Sequence, residues 1–140
     1  GPAEWLIVGP VGAEAAIEMA LAEALDGASA AVVDVTEGRT TIRVAGDKAR
    51  DVIAMGCPLD LHARVFAVGQ CAQSFISRGP IIIHQVDDTP AFDIQIERSQ
   101  ADYLWTWLRT GGEPYGIAVA TEPETDNWRR PAKRKSKDAS

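Results

Sequence analysis

Residues 55–66, MGCPLDLHARVF, bring together a thiol, a carboxylate and an imidazole: Cys57, Asp60 and His62. Such groups build nucleophile–base pairs and metal shells. A zinc shell asks for paired ligands, usually two cysteines a few residues apart and a second pair further on. This stretch offers one cysteine, one aspartate and one histidine, and Cys71 and His84 complete a set of four only if folding happens to gather them. A Cys–His nucleophile needs positive charge near the thiol and an orienting group, and only Arg64 is close in sequence. The stretch therefore reads as a bend, with Cys57 packed as a small apolar residue and Asp60 or His62 accepting backbone N–H groups. No catalytic, cofactor-binding or metal-ligating residue is expected in the chain.

The glycines add no nucleotide loop. Gly9, Pro10, Val11 and Gly12 lie before a helical pattern, where a phosphate loop belongs. They lack the third glycine of a dinucleotide loop and the Gly-Lys-Ser/Thr of a phosphate loop. Glu14 also stands where an anion would sit at the helix N-terminus. Trp105 and Trp107 are of more interest. Two residues apart on a helix, they point about 200° away from each other, so one small core cannot take both. One is expected inside and the other under a partner chain. Leu59, Leu61 and Phe66, three large apolar residues in the bend, are further candidates for such an interface.

These residues are positioned by a mixed succession of elements. Residues 4–8 and 31–35 read as strands from their apolar and β-branched content. Between them Ile17, Leu21, Ala24 and Leu25 recur at helical spacing, and Gly27 closes that helix. Residues 40–44 alternate as a strand after the turn signal Glu37-Gly38. A helix follows, with Asp47 as its expected N-cap, Gly56 just beyond its end and Pro58 forbidding its continuation. Residues 70–77 and 80–84 read as strands, residues 87–90 as a turn, and residues 92–96 as a half-buried strand. Ser99 and Asp102 suggest a capping box opening a helix that carries Ala101, Leu104, Trp105 and Leu108 and ends at Gly111-Gly112. The order implies an α+β domain with a largely antiparallel sheet and helices on one face.

At 140 residues the chain is long enough for one domain, residues 1–118, with a flexible basic tail, residues 119–140. Opening on Gly1-Pro2 without methionine reads as a processed or shortened chain or an expression scar. Two cysteines are too few for a disulfide framework, which suits a cytoplasmic protein. No apolar run approaches the roughly 20 residues of a membrane span. The net charge of −6 is uneven. Residues 1–128 hold eight basic and nineteen acidic side chains, a net of −11, which repels a polyanion and argues against nucleic acid as a partner. Arg129, Arg130, Lys133, Arg134, Lys135 and Lys137 make the tail basic, as solvated chain ends often are.

The run VDVTEGRTTIRVAGDKARDVIAMGCPLDLHARVF, continued by GQCAQSF and FDIQIERSQADYLWTWL, resembles the gamma subunit of heterotetrameric sarcosine oxidase. The opening GPAEWLIVGP is similar to that family as well, so the resemblance covers residues 1–108. Its most specific part is CPLDLH, residues 57–62. The family is related to the folate-binding T-protein of glycine cleavage, and the resemblance implies part of that aminomethyltransferase fold. It further implies a non-catalytic subunit in a complex that oxidatively demethylates sarcosine or a related N-methyl amino acid. The alpha, beta and delta subunits of that complex are the implied partners, and they carry FAD, FMN, NAD, zinc and a tetrahydrofolate site. Family members begin some tens of residues earlier, and the basic tail lies outside the resemblance. A free-standing folate or one-carbon binding protein of the T-protein kind is the alternative.

Overall fold

A computed structural model describes residues 3–120, so residues 121–140 of the basic tail lie outside the described residues. They fall into two compact units, residues 3–36 and residues 37–120.

In the first unit one helix forms, α1 (Glu14–Ala24). Pro10 C=O accepts from Ala13 N–H, and the Gly12 N–H donates to the Glu14 carboxylate at 3.2 Å. The acidic side chain thus occupies the helix N-terminus itself, where it also favours the dipole. At Gly9 a Cβ would meet the Cδ1 end of the Ile17 side chain, which would have to turn aside. Gly27, at φ 78°, takes the left-handed conformation that lets the chain leave the helix. No residue of α1 is buried. The two strands expected at residues 4–8 and 31–35 do not form: neither run belongs to a helix or a strand. A β-branched composition fits a pleated, half-covered surface, and without a neighbouring strand it does not make one. Trp5, Val11, Met19 and Val33 are each more than 70% exposed.

The second unit is the expected α+β arrangement. Strand β1 (Arg39–Ala45) leads to α2 (Ala49–Ala54), then come β2 (Cys71–Ile76), β3 (Gly79–Asp87), β4 (Ala91–Glu97) and α3 (Ala101–Gly112). The sheet is antiparallel, with order β1-β4-β3-β2. The connection from β1 to β2 therefore crosses the whole sheet on one face, carrying α2 and the bend with it. Alternation makes that face the core: Ile81 and Ile83 of β3, and Phe92, Ile94 and Ile96 of β4, meet Val52 and Ile53 of α2 and Leu104 and Leu108 of α3.

Two expected caps are absent. Lys48, not Asp47, precedes α2, and no side chain caps it; the Ala49 N–H bonds to Gly46 C=O instead. Likewise a 3₁₀ turn (Arg98–Gln100) leads into α3, so no Ser99 side-chain cap forms. In both places a preceding tight turn supplies backbone partners, which leaves a capping side chain nothing to satisfy. The turn at residues 87–90 forms as expected, with Asp87 Oδ1 accepting from Thr89 N and Oγ1, both at 2.8 Å. These hydrogen bonds hold the Asp87 carboxyl below its usual range. Their contribution is complete above the ordinary carboxylate value and is lost as pH falls through the lowered one. Among the described residues no helix is long and apolar enough to cross a membrane.

Candidate functional site

The CPLDLH bend leaves α2 through Met55 and Gly56 and folds over one end of the sheet. Cys57 is buried, with Sγ 3.6 Å from Ser74 Oγ, whereas His62 is exposed. Thiol and imidazole thus have separate surroundings, one in the chain's interior and one in solvent. The Asp60 carboxylate accepts from His62 N–H at 2.9 Å, and His62 Nδ1 accepts from Arg64 N–H at 3.2 Å. Both side chains are therefore used as local backbone acceptors, as the sequence suggests. Among the described residues no three His, Cys, Asp or Glu side chains are grouped so as to hold a metal ion.

What the bend positions is apolar. Leu61 and Phe66, expected at a partner interface, are 4% and 7% exposed and belong to the chain's own core. Phe66 packs on Phe92 with ring centroids 6.4 Å apart. A loop crossing an open sheet end buries what it carries, so these two residues leave the candidate surface. Leu59 stays half-buried against the core.

The bend is fixed by an arginine that sequence reasoning passed over. Arg50, on α2, donates from Nε to Leu61 C=O at 2.7 Å and from Nη2 to Gln85 Oε1 at 3.1 Å, with its guanidinium carbon 5.4 Å from the Phe92 ring centroid. Gln85 is 1% exposed and donates from Nε2 to Asp87 C=O. The signal was available: Gln85 follows Ile81 and Ile83 in the core phase of its strand, and a buried amide needs a partner.

Helix α3 divides its tryptophans as their spacing predicts. Trp107 is half-buried and packs on the core, while Trp105 on another flank is 40% exposed. Close approach of α3 to the end of α2 depends on Gly56. A Cβ there would stand 2.5 Å from Trp107 Cζ2 and 3.2 Å from Ser77 N. The Ser77 N–H donates to Gly56 C=O at 2.9 Å, and the Tyr103 hydroxyl donates to Ser77 Oγ at 2.8 Å. Helix end, hairpin tip and α3 are thereby tied at one point. Met55, Tyr103, Thr106, Trp107, Thr110 and Gly111 line a shallow, mostly apolar cleft of about 430 Å³ beside it. Gly56→Ala is expected to lower stability by about 1–2 kcal/mol through this overlap. In a Trp107→Ala background the same change should cost distinctly less. Urea unfolding of the four proteins in that cycle is the check, and equal penalties in both backgrounds would dissociate Gly56 from the indole.

Comparison with known proteins places this geometry. Sarcosine oxidase subunit gamma of Corynebacterium sp. (strain P-1) is 34% identical over 83 residues, 59% of this chain and 40% of that one. The subunit of the same name from Arthrobacter sp. is 32% identical over the same lengths. The chain thus spans about two-fifths of the curated relatives it matches. Among solved structures, the fold is similar to a chain of the heterotetrameric sarcosine oxidase from Corynebacterium sp. U-96 in complex with pyrrole 2-carboxylate. That likeness has a TM-score of 0.69 at 23% identity and covers 76% of this chain and 54% of the other. Residues 1–113 match the family described as sarcosine oxidase, gamma subunit. A bend whose reactive side chains serve backbone groups, an apolar flank on α3 and a match over most of the length agree: the chain belongs to the sarcosine oxidase gamma subunit family.

Proposed function

We propose that this protein is a non-catalytic assembly subunit of a heterotetrameric, sarcosine oxidase-like flavoenzyme. The complex oxidatively demethylates sarcosine or a related N-methyl amino acid in the cytoplasm. Its alpha, beta and delta subunits are the partners, and FAD, FMN, NAD, zinc and tetrahydrofolate are held by them. Residues 1–118 form the part that assembles, and residues 119–140 are an appended basic segment. The observation that carries this reading is the contrast between the chain's reactive and apolar side chains. Cys57, Asp60 and His62 are committed to packing and to backbone hydrogen bonds, whereas Trp105 and the rim of the α2–α3 cleft are left for another chain to cover.

Purification through a tag on this chain is the direct test. Larger flavin-coloured partners with sarcosine-oxidising activity are expected to accompany it. A colourless monomer that binds tetrahydrofolate would instead establish the free-standing folate-binding reading. Within the assembled complex, Cys57→Ser and His62→Ala are expected to leave turnover nearly unchanged. A catalytic group lost from a fully assembled enzyme lowers the rate by orders of magnitude. A hundredfold fall, about 2.7 kcal/mol in the barrier, with subunit composition intact would place chemistry in this chain.

A further inference from the structure

The sheet has a second face, turned away from α2 and α3, and its register gathers residues that are distant in sequence. Cys71 of β2 is the Cα partner of His84 on β3, His84 of Asp93 on β4, and Asp93 of Arg43 on β1. Alternation puts all four on this outer face, since Ala72, Ile83, Ile94 and Ile42 beside them face the core.

A bulge fixes how closely the first pair approaches. The Gly69 N–H donates to Gln85 C=O at 2.8 Å, and the Gln85 N–H donates to Gln70 C=O at 3.0 Å. Gly69 takes φ 88°, the left-handed conformation of a glycine bulge. Gln70 and Gln85 therefore make a hydrogen-bonded pair, and the adjoining Cys71 and His84 a non-hydrogen-bonded one. Cα atoms of such a pair stand about 4.5 Å apart, with their side chains in mutual reach. Cys71 is exposed on an edge strand, so its sulfur is open from the side. Asp93 is held by Arg43 through Nε at 2.6 Å and Nη2 at 2.8 Å. The next row, Gln73, Ile82, Gln95 and Thr41, is uncharged, and the Asp87 carboxylate beyond Val86 is bonded to Thr89. Thiol and imidazole thus stand side by side on neighbouring strands, as a nucleophile and its base must.

We propose that Cys71 is a modification site, a thiol activated by His84 that exchanges with small disulfides of the glutathione class. The His84 imidazole takes the thiol proton, and Sγ attacks one sulfur of the disulfide. The new Sγ–S bond forms as the old S–S bond breaks. The departing thiolate carries away the electron pair and takes the proton back from His84. The small disulfide is the oxidant, reduced to one thiol as Cys71 is oxidised to the mixed disulfide. Cys57 is an internal control, because its sulfur is buried and stands against Ser74.

The experiment follows adduct formation by intact mass when the full chain is mixed with oxidised glutathione at pH 7. One adduct is expected, lost in Cys71→Ser and kept in Cys57→Ser. His84→Ala should slow it about tenfold or more, and added imidazole should restore part of the rate, which a merely structural role would not allow. His84→Gln, closer in shape, should be slowed alike with an unchanged far-UV spectrum. An adduct on Cys57, or wild-type rates in both His84 variants, would overturn the proposal.

Discussion

Replacing Arg50 with alanine is expected to lower the stability of residues 37–120 by about 2–3 kcal/mol. The guanidinium joins three elements at once: it rises from α2, bonds the Leu61 carbonyl of the bend and bonds the Gln85 amide of β3. Gln85 is 1% exposed, so its Oε1 loses a charged donor in a place where water replaces it poorly. A buried polar atom left without its partner costs more than the bond had contributed. Loss of the Arg50 face over Phe92 adds to this. Arg50→Lys should recover only part of the loss, since one ammonium cannot reproduce two divergent N–H donors and a stacked plane. Denaturant unfolding at matched m-values is the measurement. A midpoint for Arg50→Ala equal to the wild type would show that the bend is held by apolar packing alone. Should the loss occur, backbone amides of residues 57–66 should exchange faster than those of β4, because the bend is the part the clamp retains.

How much of this was legible in the sequence depends on the range of the interactions. The central strands were readable because Phe92, Ile94 and Ile96 alternate with Asp93, Gln95 and Glu97, and because Ile81 and Ile83 share one phase. The same propensity misled at residues 4–8 and 31–35, where the composition is right and no ladder is present. Strand formation is a property of pairs, and propensity describes only one member. Asp47 and Ser99 were plausible caps by residue type, but tight turns had already satisfied the helix starts. Leu59, Leu61 and Phe66 suggest a partner surface because a loop with three large apolar residues needs cover, but for Leu61 and Phe66 the chain's own core supplies it. This loop crosses the end of a sheet whose last aromatic, Phe92, needs cover. The bend itself is legible, because an Asx-type hydrogen bond from His62 N–H to Asp60 is local. The row from Cys71 to Arg43 could not be read at all. It depends on three strand registers and a glycine bulge, none of which shows in the spacing of residues 43, 71, 84 and 93.

The tryptophans of α3 give the test with the clearest separation of stability from assembly. Trp107 packs on the core and against Gly56, so its removal opens a void between α3 and the end of α2. Trp107→Ala should destabilise the domain by about 2–3 kcal/mol, less than a fully buried tryptophan because one edge lines the open cleft. Trp105 lies outside that core, and at 40% exposure its replacement should shift stability distinctly less than that of Trp107. Its effect belongs to association. A tryptophan near the centre of an interface typically contributes about 2 kcal/mol or more on truncation, about a thirtyfold weaker dissociation constant. On the proposed assembly role, Trp105→Ala should therefore weaken association with the partner subunits while losing less stability than Trp107→Ala. Trp107→Ala should lose stability first and association only through it. Thermal unfolding of each isolated variant, with quantitative pull-down by the large subunits at a temperature where both are folded, separates the two. If Trp105→Ala binds like the wild type, this flank of α3 is not the contact. The Met55–Tyr103 rim of the cleft and Leu59 then become the surfaces to alter next, and retained binding there too would remove the physical support for an assembly role.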